Sequence, residues 1–208
     1  MKITIFGSTG SIGLHLVRQA LDSGYSVTAF VRDPLKLNIK HSNLKMVQGD
    51  VLDLQSVENA IENQDAVLCS LGAGILNSTV RSIGTKNIII AMEKKGVRRF
   101  ICQTTLGVGD SWDNLNFYWK YIMFSGLLRL VYADHAGQEK YVKQSHLNWT
   151  IVRPGAFTDG DHTGEYRHGF SGTDKTLQLK ISRADVADYM LKQLTDETNL
   201  HMTPGLSY

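Results

Sequence analysis

A glycine-rich turn near the start of the chain carries the clearest chemical signal. Residues 7–13 read Gly-Ser-Thr-Gly-Ser-Ile-Gly, and this turn follows a short apolar run and precedes a stretch with helical periodicity. Glycines at a strand-turn-helix connection allow positive φ angles, and they let a pyrophosphate approach the backbone amides at the positive end of the helix. A merely tight turn is the alternative. The position of the glycines between a strand and a helix favours a dinucleotide-binding turn.

The end of the second predicted strand indicates which dinucleotide binds. An acidic residue at this point bonds the ribose 2′-hydroxyl of NAD, whereas a basic residue accommodates the 2′-phosphate of NADP. The strand ends at Arg32, and the next two residues, Asp33 and Pro34, are typical of the cap of a short helical turn. We therefore predict that Arg32 binds the 2′-phosphate and that the cofactor is NADP(H). A solvated charge is the alternative for Arg32.

Two further segments follow strands at the edge where ligands of such sheets bind. Asp50 and Val51 come directly after the third predicted strand, and we expect Asp50 to accept a hydrogen bond from adenine and Val51 to pack on the ring. Capping of the helix that begins near Asp53 is a compatible role for Asp50. The glycine-containing loop at residues 71–74 is predicted to lie beside the ribose and the pyrophosphate.

The elements that must position these residues alternate along the chain. Nearly continuous apolar runs predict strands at residues 3–6, 25–31, 44–48, 66–69, 99–103 and 149–152. Periodic apolar residues predict helices at residues 12–21, 53–62, 77–95, 133–144 and 183–194. Strands without a polar face require helices on both sides of a parallel sheet. We therefore predict an α/β fold with a three-layer, doubly wound, mostly parallel sheet, in a single domain of residues 1–208.

The composition excludes several classes of protein. The 208 residues include 22 basic and 20 acidic ones, and a net charge of +2 argues against a nucleic-acid partner, which needs clustered Lys and Arg. The two cysteines, and a start that leads directly into a strand, predict a reducing, cytoplasmic setting. The most apolar stretch, residues 117–132, falls short of the roughly 20 apolar residues of a membrane span. The histidines lack metal-ligand spacing, so we predict no metal site.

Five segments carry a resemblance to a known family. They read IFGSTGSIG at 5–13, FVRDP at 30–34, QGDVLD at 48–53, QDAVLCSLG at 64–72 and WTIVRPGAF at 149–157. In their order and spacing the chain resembles the atypical short-chain dehydrogenase/reductases, and within them the NAD(P)H-binding group that includes flavin reductase (biliverdin IXβ reductase) and the NmrA-like proteins. The resemblance covers nearly the whole chain. It implies a Rossmann-like sheet, NADPH as hydride donor, and a flavin or bilin-like acceptor that lies on the nicotinamide.

The resemblance also implies contacts for individual residues. Those expected at the pyrophosphate are Gly7, Ser8, Thr9, Gly10, Ser11 and Ile12. Arg32 is expected at the 2′-phosphate, and Asp50 and Val51 are expected at the adenine. Leu71 and Gly72 are expected near the ribose. Those expected on the two sides of the nicotinamide are Thr104 and Thr105 on one side and Arg153, Pro154 and Gly155 on the other.

The chain departs from the family pattern at two points. Relatives of flavin reductase have a histidine where Gly155 stands, so a role for that side chain is in doubt here. No tyrosine of the chain has a lysine four positions later. The Tyr-x-x-x-Lys pair, in which the lysine lowers the tyrosine pKa for proton exchange with a hydroxyl or carbonyl, is therefore absent. Its absence favours hydride transfer to a flavin or a bilin, whose products solvent can protonate.

Aromatic residues cluster in an insertion at about residues 108–132, between the fifth strand and the next helix. Seven of them fall within 21 positions, namely Trp112, Phe117, Tyr118, Trp119, Tyr121, Phe124 and Tyr132. We predict that Trp119 and Tyr121 stack on the acceptor beside the nicotinamide. A buried helical insertion and an apolar contact between two copies of the chain are equally open. Monomer and homodimer are both compatible with the sequence.

Four further side chains are candidates for the acceptor site. His135, at the start of a predicted helix, is a candidate acid or partner of an acidic group, with a capped helix start as the alternative. Arg153 ends a strand at the ligand-binding edge and is a candidate for catalysis or for binding an anionic acceptor, with a structural ion pair as the alternative. Thr105 is the second candidate catalytic residue. Phe157 lies in the predicted acceptor portion, residues 153–208.

These observations predict an NADPH-dependent reductase that passes hydride to a flat conjugated acceptor, a flavin or a biliverdin-like tetrapyrrole. The protein would mainly orient the two molecules. An NmrA-like sensor that binds NADP(H) without turnover is the alternative, because it shares the same cofactor motifs. A sugar-nucleotide epimerase or dehydratase is disfavoured by the missing Tyr-x-x-x-Lys and by the short C-terminal part.

Overall fold

The computed structural model describes residues 1–74 and 79–208 of the chain. Ten strands lie within these ranges, and they are β1 (Lys2–Phe6), β2 (Ser26–Val31), β3 (Leu44–Gln48), β4 (Ala66–Cys69), β5 (Arg99–Gln103), β6 (Asn148–Pro154), β7 (Ala156–Thr158), β8 (Arg167–His168), β9 (Lys180–Ser182) and β10 (Gly205–Ser207). The α-helices in the same ranges are α1 (Ser11–Asp22), α2 (Leu54–Ile61), α3 (Val80–Lys95), α4 (Arg129–Gln144) and α5 (Arg183–Lys192). Asn77, the predicted start of α3, lies outside the described residues.

The main sheet has eight strands in the order β3-β2-β1-β4-β5-β6-β10-β8. All neighbours are parallel except β8, which runs antiparallel to β10 at one edge. Helices α1 and α5 cover one face, and α2, α3 and α4 cover the other. The strand order reverses between β1 and β4, the point where ligands bind in such sheets. The prediction of a three-layer, doubly wound, Rossmann-like fold is confirmed.

Strand β1 shows why its residues read as a continuous apolar run. Ile3 and Ile5 are fully buried in the core under α1 and α5, and Phe6 is fully buried in the core on the opposite face. Thr4 is the polar exception, and its hydroxyl donates a 2.7 Å hydrogen bond to the carbonyl of Ala60. A strand with no solvent-facing side keeps a polar group only where a partner is available.

The structure departs from the sequence predictions beyond β5. Helix α4 begins at Arg129, four residues before its predicted start, and β6 extends to Pro154. The segment before α4 contains a 3-10 helix, Gly109–Asn114, and a ten-residue π-helix, Tyr118–Leu127. Strands β7 to β10 have three residues or fewer, so their sequences carry too little periodicity to be recognised.

Two structural properties concern the classes of protein considered above. Within residues 1–74 and 79–208, no helix is both long and apolar enough to cross a membrane. In the same part of the chain, no three His, Cys, Asp or Glu side chains come together in a way that suits a metal ion.

Candidate active site

The glycine-rich turn lies at the point where the strand order of the sheet reverses. Gly7 has φ +83°, and a Cβ atom on it would lie 2.4 Å from the carbonyl oxygen of Ser70. A Cβ atom on Gly13 would lie 2.0 Å from the Gly7 carbonyl oxygen. The turn is closed by a 2.9 Å hydrogen bond from the Gly10 amide to that same carbonyl. The backbone therefore packs so closely that only glycine fits at positions 7 and 13.

The N-terminus of α1 is open to an anionic group. Gly10 precedes the helix without a capping side chain, and the first turn contains no acidic residue. Its first amide groups have no partner within the helix, and the helix dipole makes this end positive. The hydroxyl of Ser8 is buried and donates to the Ile5 carbonyl at 2.5 Å, so only the Ser8 backbone remains for a ligand.

A groove of about 630 Å³ runs from this turn across the ends of β2 and β4. The predicted cofactor residues that line it are Gly7, Thr9, Gly10, Arg32, Asp50, Val51, Leu71 and Gly72. Ser8, Ser11 and Ile12 are not among the lining residues, and of these three Ser8 and Ile12 are buried whereas Ser11 is exposed. The groove also includes Lys36, which sequence reasoning missed although it stands at the end of the short helical turn after Asp33.

The charges in this groove favour a phosphate. Arg32 and Lys36 are exposed and form no ion pair with any residue in the described ranges. Asp33 accepts a 3.1 Å hydrogen bond from the Leu35 amide, as expected for the cap of a helical turn. Its carboxylate is thus engaged locally rather than poised for a ribose hydroxyl. Asp50 accepts from the Leu52 amide at 2.9 Å, while a different residue, Asp53, caps α2.

A second cavity, of about 380 Å³, lies at the carboxyl ends of β5 and β6. We call it the acceptor cavity, and its lining is Arg81, Gln103, Thr104, Thr105, Leu106, Leu115, Trp119, Phe124, Leu128, Val131, His135, Gly155, Ala156, Phe157, Leu179 and Arg183. Six residues singled out from the sequence are thus brought together, namely Thr104, Thr105, Trp119, His135, Gly155 and Phe157. The cavity and the groove open at the same edge of the sheet, and Arg81 links them, because it lines the cavity and donates a 3.0 Å hydrogen bond to the carbonyl of Ala73 in the groove.

The structure separates the two aromatic residues predicted to stack on the acceptor. Trp119 lines the cavity and packs on Phe124, with 5.8 Å between ring centroids. Tyr121 is 58% exposed, lies outside the cavity lining, and packs on Phe117. The prediction for Tyr121 is corrected, because residues two apart on a helix face different directions.

The predictions that the Arg153 side chain contacts the nicotinamide, binds the acceptor or acts in catalysis are also corrected, because this side chain is engaged inside the protein and lines neither the groove nor the cavity. Arg153 is fully buried and donates to the two carboxylate oxygens of Glu139 at 2.8 and 2.7 Å. It also contacts Asp110 at 2.6 Å. The alternative of a structural ion pair is the arrangement observed. Pro154 likewise lies outside the cavity lining, within β6.

Glu139 joins this ion pair to the cavity wall. Burial raises the pKa of its carboxyl, but the hydrogen bonds and charge of Arg153 outweigh burial, and the pKa lies below its usual value. The carboxylate also accepts a 3.0 Å hydrogen bond from the hydroxyl of Thr104. The Thr104 proton is therefore directed to Glu139 and not to the cavity. The Thr105 hydroxyl, also at the cavity, donates weakly to the Leu106 carbonyl at 3.3 Å.

His135 lines the cavity as a neutral imidazole. Burial and the charge of Arg81 lower the pKa of His135 to about 4. Its Nδ1 lies 3.1 Å from Oε1 of Gln138, whose amide nitrogen donates to Thr85. Nδ1 therefore carries the proton and Nε2 is an acceptor. The predicted role as an acid is corrected, since the ring has no proton to release near neutral pH.

His135 also differs from its predicted position on the helix. It lies in the second turn of α4 because that helix begins at Arg129. The preceding residue, Asp134, accepts hydrogen bonds from the backbone amides of Arg81 at 3.1 Å and Ser82 at 2.9 Å. Asp134 therefore caps the neighbouring helix α3 rather than its own helix.

The low pKa of His135 predicts a pH dependence of stability. An unfolded histidine has a pKa near 6.5, so the folded state binds fewer protons and loses stability as pH falls from about 6.5 towards 4. Between pH 7 and pH 5 this histidine is expected to lower the free energy of unfolding by about 2 kcal/mol. In His135→Asn, whose side-chain N–H can still donate to Gln138, this pH-dependent decrease should be absent. Urea unfolding at both pH values measures it. The exposed His146→Asn is the control, and an equal pH dependence in both variants would contradict the assignment.

Position 155, where relatives of flavin reductase have a histidine, has no room for a side chain in this protein. A Cβ atom on Gly155 would lie 2.7 Å from the backbone carbonyl carbon of Leu179. The strand pair β7-β9 brings the two backbones together at this point. No side chain fits at position 155, so this position contributes backbone alone to the cavity.

Comparisons with known proteins place these features in context. The sequence matches the NAD(P)H-binding family over residues 7–197. A chloroplast protein of Arabidopsis thaliana is 30% identical over 206 residues, which are 94% of this chain and 72% of the relative. The chloroplast divinyl chlorophyllide a 8-vinyl-reductase of that plant is 30% identical over 174 residues, which are 76% of this chain and 39% of the relative. Because both relatives are chloroplast proteins, a cytoplasmic location stays a prediction.

One solved structure with the same fold is ChuY, an anaerobilin reductase of Escherichia coli O157:H7. It is 23% identical to this chain and superposes with a TM-score of 0.82, covering 99% of this chain and 96% of ChuY. At this level of identity the likeness concerns the fold.

Proposed function

The chain belongs to the NAD(P)H-binding family, and on that premise we propose that it is an NADPH-dependent reductase that passes hydride to a flat conjugated acceptor, a flavin or a bilin-like tetrapyrrole. The observation that carries the proposal is the acceptor cavity, which adjoins the nucleotide groove at one edge of the sheet and has a largely apolar and aromatic lining. Two molecules bound in these adjoining spaces would meet where Thr104 and Thr105 lie.

The groove fits a dinucleotide phosphate by its own geometry. The cradle at Gly7 and Gly13 has no room for a side chain, and the uncapped N-terminus of α1 offers amide donors for a pyrophosphate. Arg32 and Lys36 would hold the 2′-phosphate. NADPH supplies a hydride when bound, and the oxygen of Thr104 would accept a hydrogen bond from a carboxamide at the edge of the cavity.

The acceptor class draws support from the names of similar proteins. One relative is a chlorophyllide reductase and one protein of the same fold is an anaerobilin reductase. The aromatic rings of Trp119 and Phe124, both in the lining, offer apolar faces to a planar ring system. Among the described lining residues, none has a side chain that releases a proton near neutral pH, so the reduced product would take its proton from solvent.

The test is to mix the purified protein with NADPH and with FMN, FAD or biliverdin, and to follow NADPH oxidation by absorbance. Oxidation above the protein-free background with at least one acceptor is expected. No oxidation with any of them, together with tight NADPH binding, would favour the alternative, an NmrA-like sensor. The lack of both Tyr-x-x-x-Lys and a titrating acid in the cavity is the observation that keeps this alternative open.

The preference for NADPH depends on Arg32. A charged hydrogen bond to phosphate contributes about 1.5–3 kcal/mol, so Arg32→Ala is expected to weaken NADPH binding about 10- to 100-fold. NADH binding, which involves no 2′-phosphate, should change less than about 3-fold. Calorimetric titration measures both affinities. Arg18→Ala, which removes an exposed arginine of α1 outside the groove, is the control, and equal losses for the two nucleotides would contradict the role of Arg32.

A further inference from the structure

Two arginines enter the acceptor cavity, and no acidic residue belongs to its lining within residues 1–74 and 79–208. The arginines are Arg81 and Arg183, and the described lining also includes His135, whose ring is neutral near pH 7. Most of the remaining lining is aliphatic or aromatic. An apolar cavity that has two arginines and no acidic side chain in its described lining favours an anionic occupant over a neutral one.

The two arginines come from opposite layers of the fold. Arg81 is the second residue of α3, and Arg183 is the first residue of α5, which covers the other face of the sheet. A cation at a helix N-terminus opposes the helix dipole and costs about 0.3–1 kcal/mol. Both residues therefore stand where folding alone disfavours a positive charge, and both point towards the same cavity from two sides.

The protein leaves part of the hydrogen-bonding capacity of these arginines unused. The Nε of Arg183 is buried and has no acceptor among the described residues. Its ion-pair partner, Asp159, lies 2.6 Å from Nη1 and is itself largely exposed. The guanidinium is held 5.5 Å from the ring centroid of Phe157, another residue of the lining. Buried donors in folded proteins nearly always have partners, so the protein itself leaves this guanidinium incompletely hydrogen-bonded.

Arg81 is likewise only partly neutralised. The Asp134 carboxylate is shared with two backbone amides, and its contact with the Arg81 guanidinium is 3.5 Å, at the limit of a hydrogen bond. The other fixed contact of the guanidinium is the Ala73 carbonyl. Donor groups of Arg81 thus remain for an anion in the cavity.

We infer that the flat acceptor is anionic and that its carboxylate or phosphate groups bind Arg183 and Arg81. This inference rests on the proposed function, because it names the charge class of the molecule reduced. Arg183 is the cleaner residue to test, since it lines the acceptor cavity and lies outside the nucleotide groove. Arg81 contacts the groove loop, so its loss is expected to alter both binding events.

The experiment compares charged and neutral forms of the same acceptor at saturating NADPH. Biliverdin is paired with its dimethyl ester, which tests carboxylates, and FMN is paired with riboflavin, which tests phosphate. Wild-type protein is expected to prefer the anionic member of at least one pair in kcat/KM. In Arg183→Met, which keeps an apolar stem without the charge, that preference is expected to fall about 10- to 100-fold. Arg18→Met should leave the preference unchanged.

Binding measured without turnover separates failure of the inference from failure of the proposed function. Quenching of tryptophan fluorescence in the NADP⁺-loaded protein gives the affinity for each of the four compounds. If no acceptor is reduced but anionic forms bind more tightly and Arg183→Met abolishes that difference, the reductase proposal fails and the anion site stands. Equal affinity of wild-type protein for charged and neutral forms, or an undiminished preference in Arg183→Met, overturns the inference.

Discussion

Replacing Glu139 with alanine is expected to lower the free energy of unfolding by about 3–5 kcal/mol. The substitution leaves the guanidinium of Arg153 fully buried with one remaining carboxylate, and that partner, Asp110, is 82% exposed. It also removes the acceptor of the Thr104 hydroxyl. Urea unfolding at neutral pH measures the loss. It should be among the largest for any single truncation in the protein, because a buried charge without its partner costs more than a lost contact.

Two comparisons isolate the buried ion pair from mere loss of volume. Lys143→Ala removes the partly exposed partner of Glu139, whose own charge can be solvated by water, and should cost less than about 1 kcal/mol. The double variant Glu139→Met, Arg153→Met replaces both charges by apolar groups and should recover much of the loss. If Glu139→Ala is no more destabilising than Lys143→Ala, the ion pair does not stabilise the junction of β5, β6 and α4.

Replacing Gly13 with alanine is expected to weaken NADPH binding by about 100-fold or more, equivalent to roughly 2.7 kcal/mol. The added methyl group would lie 2.0 Å from the carbonyl oxygen of Gly7 and 2.9 Å from the Cα of Ser8. These are backbone atoms, so the N-terminus of α1 must move away from the turn. Overpacking of this kind costs about 1–3 kcal/mol of stability in addition. Calorimetric titration and urea unfolding measure the two effects.

Gly24→Ala is the matched control for this substitution. Gly24 lies just beyond the other end of α1 and has a positive φ, +79°, but nothing lies within 4 Å of a Cβ atom built on it, and it is remote from the groove. Its replacement should cost about 1–2 kcal/mol of stability through backbone strain and leave NADPH affinity intact. If Gly13→Ala binds NADPH as tightly as Gly24→Ala does, the turn does not hold the pyrophosphate.

Local rules account for the parts of the fold that the sequence predicted well. Apolar runs, capping residues and glycines mark the first five strands and the helices between them. Each of these features lies within a few residues of the element that it determines. Asp33 illustrates this, because its side chain bonds the amide two residues later and its role follows from the Asp-Pro pair alone. The groove residues are close to such elements, so their grouping was predictable too.

The acceptor side depends on contacts between distant segments, and these were not predictable. Arg153 meets Glu139 fourteen residues away across two elements, and no local pattern distinguishes that ion pair from a ligand contact. Tyr121 is equally aromatic as Trp119, and only the course of the π-helix decides which of them faces inwards. Arg81 carried one usable signal, a positive charge in the first turn of a helix, where a negative one is preferred.

The arrangement of the two spaces along the chain has an evolutionary consequence. Every described lining residue of the nucleotide groove comes from positions 7–80, and every described lining residue of the acceptor cavity except Arg81 comes from positions 103–183. On the proposed function, substitutions in the later segment would change the acceptor while the earlier segment keeps the nucleotide site constant. Position 81 is the exception, since a change there reaches both halves at once. Sequence differences among relatives should therefore be unevenly distributed, with more of them in the segment that lines the acceptor cavity. Arg81 should change only together with its neighbours in both spaces.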